Sequence, residues 1–283
     1  MKHITFKGAS AYTCLTIMLE DFKINKTDQD IVMDMRMPYL FSKHEISQTK
    51  TEFIAGTRLQ GKQWYDLFLN HYHLEFVEEY LTRIQTVTML QNLGKFKRKA
   101  LLSLLNNQKT YAVVYKGHHV LSDTYTFIIP ETMASNDYKT VSFDAETLLQ
   151  NLEAHVHIGF INPCDETSYT IVDAIKDSLD AIDDYLVYVQ EWCQMNHTKK
   201  RQLEAFDMVF RAFIVDIRRI LKLKGEVTLY RIIRRVSHKY VDMIKNPNER
   251  FTIPLAEDFT LAIKQYRNFV EDYLKHIEYT LKY

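Results

Sequence analysis

The strongest constraint on the fold is a change in hydrophobic periodicity near residue 160. Beyond it, apolar residues recur at the three- and four-residue spacing of an amphipathic helix in four successive segments. These apolar stripes run from Ile171 to Trp192, Leu203 to Leu221, Leu229 to Ile244 and Phe259 to Ile277. Short connections between long amphipathic helices are typical of antiparallel bundles. We therefore predict an all-α helical bundle domain over residues 161–283.

The first 160 residues follow a mixed pattern, which predicts an α+β domain. A helix is predicted from Ser10, a second helix near residue 62 with a strand after it at Leu74, and a helix capped by Asp144. The segment 97–131 is predicted as a helix ending at "NNQK" and then three strands. Those strands lie at 111–115, around "HHVLS" and around "TYTFIIP", with a tight turn at Ser122–Asp123.

Charge and cysteine content exclude several functional classes. Lys plus Arg and Asp plus Glu number 36 each, so the net charge is zero and no global basic field for nucleic acid exists. The three cysteines form neither a disulfide framework nor a metal-ligand spacing. The histidine pairs "HYH" (71–73) and "HVH" (155–157) lack a third ligand, so no metal is predicted. Neither glycine-rich phosphate motif is present, and no cofactor is predicted.

Hydropathy predicts a cytoplasmic protein without a membrane partner. No stretch approaches the roughly 20 apolar residues that a membrane-spanning helix requires. The N-terminal "MKHITFKGAS" also lacks the apolar run of a signal peptide.

The start of the first predicted helix carries a hydroxyl and a thiol, the two kinds of side chain that can act as nucleophiles. Ser10 is either an N-cap or a nucleophile, because the free N–H groups at a helix start can donate hydrogen bonds to a capping oxygen or to a developing oxyanion. Cys14 shares the apolar stripe of Leu15 and Met18, so we expect a buried thiol.

The order of elements over residues 8–154 resembles that of papain-like proteins. "SAYTCLTIMLEDF" (10–22) is similar to the nucleophile helix of two bacterial groups, the double-glycine leader peptidases and the acyltransferase family of butirosin biosynthesis protein H. "GHHVL" (117–121) matches the strand that carries their general-base histidine, and "FIIPE" (127–131) takes the place of their third residue. Members of the butirosin group also place a helical half after the papain-like half.

The resemblance implies a papain-like domain at 1–160 and an acyltransferase or an amide or thioester hydrolase, of the kind used in bacterial secondary-metabolite biosynthesis. It assigns Ser10 as nucleophile, His119 or His118 as base and Glu131 as the residue that orients the base. Three departures leave an alternative open. Serine replaces cysteine, the oxyanion-hole glutamine is missing from "KHITFKGA", and the aspartate of the family's "DP" is missing. The alternative is a catalytically inactive papain-like binding or regulatory protein.

A basic segment near residues 216–239 predicts a partner-binding surface. Its arginines on two predicted helices are Arg218, Arg219, Arg231, Arg234 and Arg235. Clustered arginines bind phosphates and acidic surfaces, although the same pattern also suits two ordinary solvated helix faces. The resemblance favours an acidic carrier protein or a phosphate-bearing acyl donor as the partner over nucleic acid.

Overall fold

The computed structural model describes residues 10–47, 50–106, 109–130, 138–165, 169–194, 218, 221, 227–245 and 253–281. Within these ranges the chain is a mixed α/β protein with eight α-helices and eight strands. The helices are α1 Ser10–Leu19, α2 Asp28–Asp34, α3 Lys62–Leu69, α4 Arg83–Lys95, α5 Ala145–Asn151, α6 Ile171–Gln194, α7 Val227–Lys245 and α8 Ile253–Thr280. The strands are β1 Phe41–Ser47, β2 Lys50–Ala55, β3 Leu74–Thr82, β4 Ala100–Asn106, β5 Lys109–His119, β6 Thr124–Ile129, β7 Lys139–Asp144 and β8 His155–Pro163.

The chain divides into two compact units. Unit 1 comprises Met1–Met35 and Gln60–Ser168, and unit 2 comprises Arg36–Leu59 and Tyr169–Tyr283. These units differ from the predicted domains 1–160 and 161–283 at two places: the segment 36–59 groups with the C-terminal residues, and residues 161–168 group with unit 1.

Unit 1 is built around a six-stranded antiparallel sheet in the order β3-β8-β4-β5-β6-β7. On one face of this sheet, the ring of Phe76 lies directly against Gly159, in the space that a Cβ atom on Gly159 would occupy. Tyr65 of α3 packs edge-on against Phe76 at 4.8 Å between ring centroids, and Tyr12 of α1 packs against Tyr65 at 5.6 Å. Helices α1 and α3 therefore cover this face of the sheet.

Several sequence predictions for unit 1 are confirmed. Helix α1 begins at Ser10 and Cys14 is fully buried on it. Helix α3 is followed by strand β3 beginning at Leu74. Asp144 caps α5, because its carboxylate accepts a hydrogen bond from the Thr147 amide at 2.7 Å.

The helix predicted before "NNQK" is wrong, since Ala100–Asn106 form strand β4 between β8 and β5. Leucine favours helices, but here Leu102 and Leu104 are buried while their neighbours are half-buried, which is the alternation of a paired strand. Sheet pairing therefore overrides the helical preference of the segment. His118 and His119 end the long strand β5 rather than forming a strand of their own, and the turn at Ser122–Asp123 is confirmed.

Unit 2 joins the β1–β2 hairpin to the long helices. Phe41 and Phe53 of the hairpin pack on Tyr185 of α6 at 5.2 Å and 4.8 Å. The buried hydroxyl of Ser178 on α6 accepts a hydrogen bond from the Phe41 amide at 3.0 Å. Helices α6, α7 and α8 confirm three of the four predicted amphipathic helices. The other, at 203–221, lies outside the described residues except for Arg218 and Leu221, which are both helical.

Candidate functional site

The start of α1 does not supply a reactive thiol. Cys14 is fully buried, and this burial raises the pKa of its thiol well above the ordinary value. A protonated, enclosed thiol is neither a nucleophile nor a metal ligand. Ser10 is the first residue of α1, as predicted, but its side chain lies outside the described part of the structure. Glu131 and Arg219 also lie outside it.

His118 belongs to a polar cluster at the β5–β6 turn. An irregularity between Tyr115 and Gly117 brings His118 into register with Tyr125, and the two rings stack at 4.4 Å. The Nε2 atom of His118 lies 2.8 Å from Oδ1 of Asp123, whose backbone has a positive φ of 45° at the turn. The turn thus places a carboxylate against a largely buried imidazole.

The same cluster faces helix α4. A Cβ on Gly94 would lie 3.1 Å from Cβ of His118 and 2.7 Å from the Tyr115 hydroxyl, so a glycine lets the helix approach the strand closely. Gln91 of α4 donates a hydrogen bond to the Tyr125 hydroxyl at 2.7 Å. The buried Tyr115 hydroxyl has no partner among the described residues, and burial raises the pKa of Tyr115 well above its ordinary value.

His118 and helix α1 lie on opposite faces of the sheet. Gly159 is on the face that α1 and α3 cover, because the Phe76 ring lies against it there. Residues that pair across antiparallel strands share a face, and Leu101 pairs with both Gly159 and Val114. Val114 is therefore also on the α1 face. Tyr115, one residue later, is on the α4 face with His118. Strand alternation directs His119 to the α1 face, where it is exposed and its Nδ1 lies 2.8 Å from the Ser122 hydroxyl. A pairing of Ser10 with either histidine stays a prediction.

Sequence analysis missed Asp123 as the partner of His118. The available signal was the five-residue spacing between His118 and Asp123 at the predicted Ser122–Asp123 turn. A turn between two antiparallel strands brings the residues that flank it close together. Gln91, Gly94 and Tyr125 carried no comparable local signal, since they come from separate elements.

Helix α7 presents the second candidate site, which we call the basic stripe. Its members, Arg231, Arg234, Arg235 and His238, follow the i, i+3, i+4, i+7 spacing of one helix face and are all exposed. Leu229 and Ile233 are buried on the other side of the helix. Arg231, Arg234 and Arg235 are therefore on the solvent-exposed side of α7, whereas Arg218 is half-buried.

The arginines of the basic stripe form no ion pair with any residue in the described part of the chain. Arg267 on α8 shows the opposite situation: its guanidinium binds both oxygens of Asp183, at 2.6 and 2.9 Å, and Glu271 at 2.9 Å. Among the described arginines of unit 2, Arg267 is thus neutralised by two carboxylates, whereas those of the basic stripe have no ion-pair partner in the described residues.

Within the described ranges, no group of three or more histidine, cysteine or acidic side chains is arranged to hold a metal ion. In the "HVH" pair, His157 stacks on Tyr80 and its Nε2 lies 3.2 Å from Oε1 of Glu78. None of the described helices combines the length and apolar character needed to cross a membrane. No family model matches the chain, and no curated protein matches it in sequence.

Proposed function

We propose that this chain is a binding protein that recognises an acidic macromolecular partner through the basic stripe of α7. The observation that carries the proposal is the spacing of three exposed arginines on one face of a helix, with no neutralising partner in the described residues. An unpaired guanidinium offers its planar donors to carboxylate or phosphate oxygens in pairs. Three of them within about one helical turn can together engage a cluster of anionic groups.

The partner class that fits best is an acidic carrier protein bearing a phosphopantetheine group, which combines carboxylates with a phosphodiester. This class also follows from the resemblance to the butirosin acyltransferase group. The inactive papain-like alternative agrees with the buried Cys14 and with a His118 ring that faces away from α1.

Charge reversal of the basic stripe tests this proposal. The variant Arg231→Glu/Arg234→Glu/Arg235→Glu should bind a purified holo acyl carrier protein at least about tenfold more weakly at low salt, measured by titration calorimetry. The affinity of the unsubstituted protein for the carrier protein should also fall steeply between low and physiological salt concentration, because salt screens exposed charges over about 10 Å at 0.1 M.

The matched control is Lys176→Glu/Lys264→Glu/Lys275→Glu, which changes the net charge equally on α6 and α8. It should retain binding, with helix content checked by circular dichroism in both variants. Equal weakening in the two variants would mean that only net charge matters. Absence of binding to the holo and apo carrier proteins at low salt would reject the proposal.

Acyl transfer or hydrolysis is the second candidate function. The imidazole of His119 favours it, because this ring is on the α1 face of the sheet and its Nδ1 is held by the Ser122 hydroxyl at 2.8 Å, so that Nε2 can serve as a general base. In this reading the Ser10 hydroxyl would attack an acyl carbonyl while His119 accepts its proton. His119 would then give that proton to the leaving group, and water or an acceptor would release the acyl group from Ser10. An adduct of a fluorophosphonate probe on Ser10, lost in Ser10→Ala and in His118→Ala or His119→Ala, would support this second function.

A further inference from the structure

The end of α4 and the β5–β6 turn expose apolar side chains that nothing in the described structure covers. Leu121 is 95% exposed, Val120 77% and Phe96 76%. Each lies within three residues of the close approach between Gly94 and His118. The three side chains, which we call the apolar tips, therefore occupy one end of unit 1.

Three lysines are neighbours of the apolar tips in sequence. These exposed lysines are Lys95, Lys97 and Lys116. Each is within three residues of Gly94 or His118, and none forms an ion pair with a described residue. The neighbouring cations Arg98 and Lys99 are engaged elsewhere, with Asn162 and with Asp21 and Glu20. The nearby carboxylate of Asp123 is bonded to His118. The segments that carry the apolar tips therefore also carry three exposed lysines that have no ion-pair partner among the described residues.

We infer that this end of unit 1 docks on the surface of an anionic lipid bilayer, with the apolar tips between the headgroups and the three lysines against their phosphates. The tips stand on a helix end and a tight turn and are almost wholly exposed, which suits insertion into a soft interface. Lysines attract a negatively charged bilayer without needing a fixed partner geometry.

This inference concerns unit 1 and does not depend on the proposed function of α7. Docking on a bilayer surface requires no spanning helix, so it is compatible with the finding on the described helices. The prediction of no membrane partner rested on the absence of a spanning segment, and surface contact is a different interaction.

Vesicle binding tests the inference with the full chain. Phosphatidylcholine vesicles containing phosphatidylserine should co-sediment with the protein, and pure phosphatidylcholine vesicles should not. Phe96→Ser/Leu121→Ser should weaken the partition by about tenfold or more, and so should Lys95→Glu/Lys97→Glu. The matched control is Ile84→Ser, which removes an equally exposed apolar side chain at the other end of α4 and should retain binding.

A tryptophan at the tip separates insertion from other contacts. Phe96→Trp should show quenching of its added fluorescence by lipids brominated on the acyl chain, whereas Ile84→Trp should not. The quenching of Phe96→Trp should persist when Arg231, Arg234 and Arg235 are also replaced by Glu, since the basic stripe does not take part in the proposed lipid contact.

The inference would be overturned by no sedimentation with anionic vesicles, by sedimentation that Phe96→Ser/Leu121→Ser does not affect, or by no quenching at position 96. Loss of vesicle binding in the basic-stripe variant alone would assign the lipid contact to α7. Self-association through the tips, detected as a Leu121-dependent change in mass by light scattering without lipid, would also overturn it.

Discussion

Cys14 lies on the buried stripe of α1, packed away from solvent, and its thiol carries a raised pKa because burial disfavours the thiolate. A thiol in this state reacts only when the surrounding structure opens. Cys164, which is half-buried, provides an internal comparison.

We therefore predict that iodoacetamide alkylates Cys164 of the native protein at least about tenfold faster than Cys14, because the thiolate is the reactive form. Alkylation is followed by peptide mass mapping over time at neutral pH. In denaturant the two rates should become similar, which serves as the control. Equal rates in the native protein would show that Cys14 is accessible and would contradict its burial in α1.

Individual residues differ in how far the sequence predicts their surroundings. The position of Ser10, the burial of Cys14 and the capping role of Asp144 depend on neighbours within a few residues, and local patterns predict them. The partners of His118 come from α4, the turn and β6, so its environment is set by packing between elements.

At the scale of elements, the sheet of unit 1 depends on a close approach between β3 and β8. A Cβ on Gly159 would lie 2.1 Å from Cζ of the fully buried Phe76, which has no room to move away. Gly117 on β5 has nothing within 4 Å of the corresponding position. The two glycines thus provide a matched pair within one sheet.

We predict that Gly159→Ala lowers the free energy of unfolding by about 1–3 kcal/mol, as overpacking of a core does. Gly117→Ala should change it by less than about 0.5 kcal/mol. Urea unfolding monitored by circular dichroism measures both. Phe76→Leu in the Gly159→Ala background should recover part of the loss, and an equal loss for the two glycines would contradict the packing described for Phe76.

Strand β4 shows why elements were harder to predict than residues. The run "ALLSLL" is rich in leucine and carries no β-branched side chain, so its composition favours a helix. It is a strand because β5 and β8 pair with it on both sides, and Leu102 and Leu104 fill the core between them. Helices α6, α7 and α8, by contrast, have long amphipathic patterns and were predicted correctly.

At the scale of the whole molecule, a net charge of zero conceals unequal charge distribution. Equal numbers of basic and acidic residues leave the protein without a global basic field. The basic stripe and the lysines near the apolar tips are nevertheless local concentrations of positive charge. Their recognition requires knowing which side chains share a face and which have partners. Helical spacing indicated the stripe from the sequence, whereas the tips belong to two elements that only the fold brings together.

Domain organisation was predicted from periodicity, and the segment 36–59 has no periodicity that connects it with the distant helices. Its membership of unit 2 rests on Phe41, Phe53 and the backbone at Pro38, which Tyr266 of α8 contacts through a hydrogen bond of 3.0 Å. Such long-range partners leave no signal in a local window.

The early position of the β1–β2 hairpin sets an order of events during translation. Phe41 and Phe53 leave the ribosome long before Tyr185 and Tyr266, which enclose Phe41 in the finished unit. The nascent chain must therefore carry an uncovered aromatic hairpin until more than 200 further residues have been made, since Tyr266 comes that late. Exposed apolar surface of this kind is what chaperones bind and what drives aggregation. A fragment ending at residue 160 would retain this hairpin without its cover, so heterologous production of the N-terminal part alone should give insoluble material.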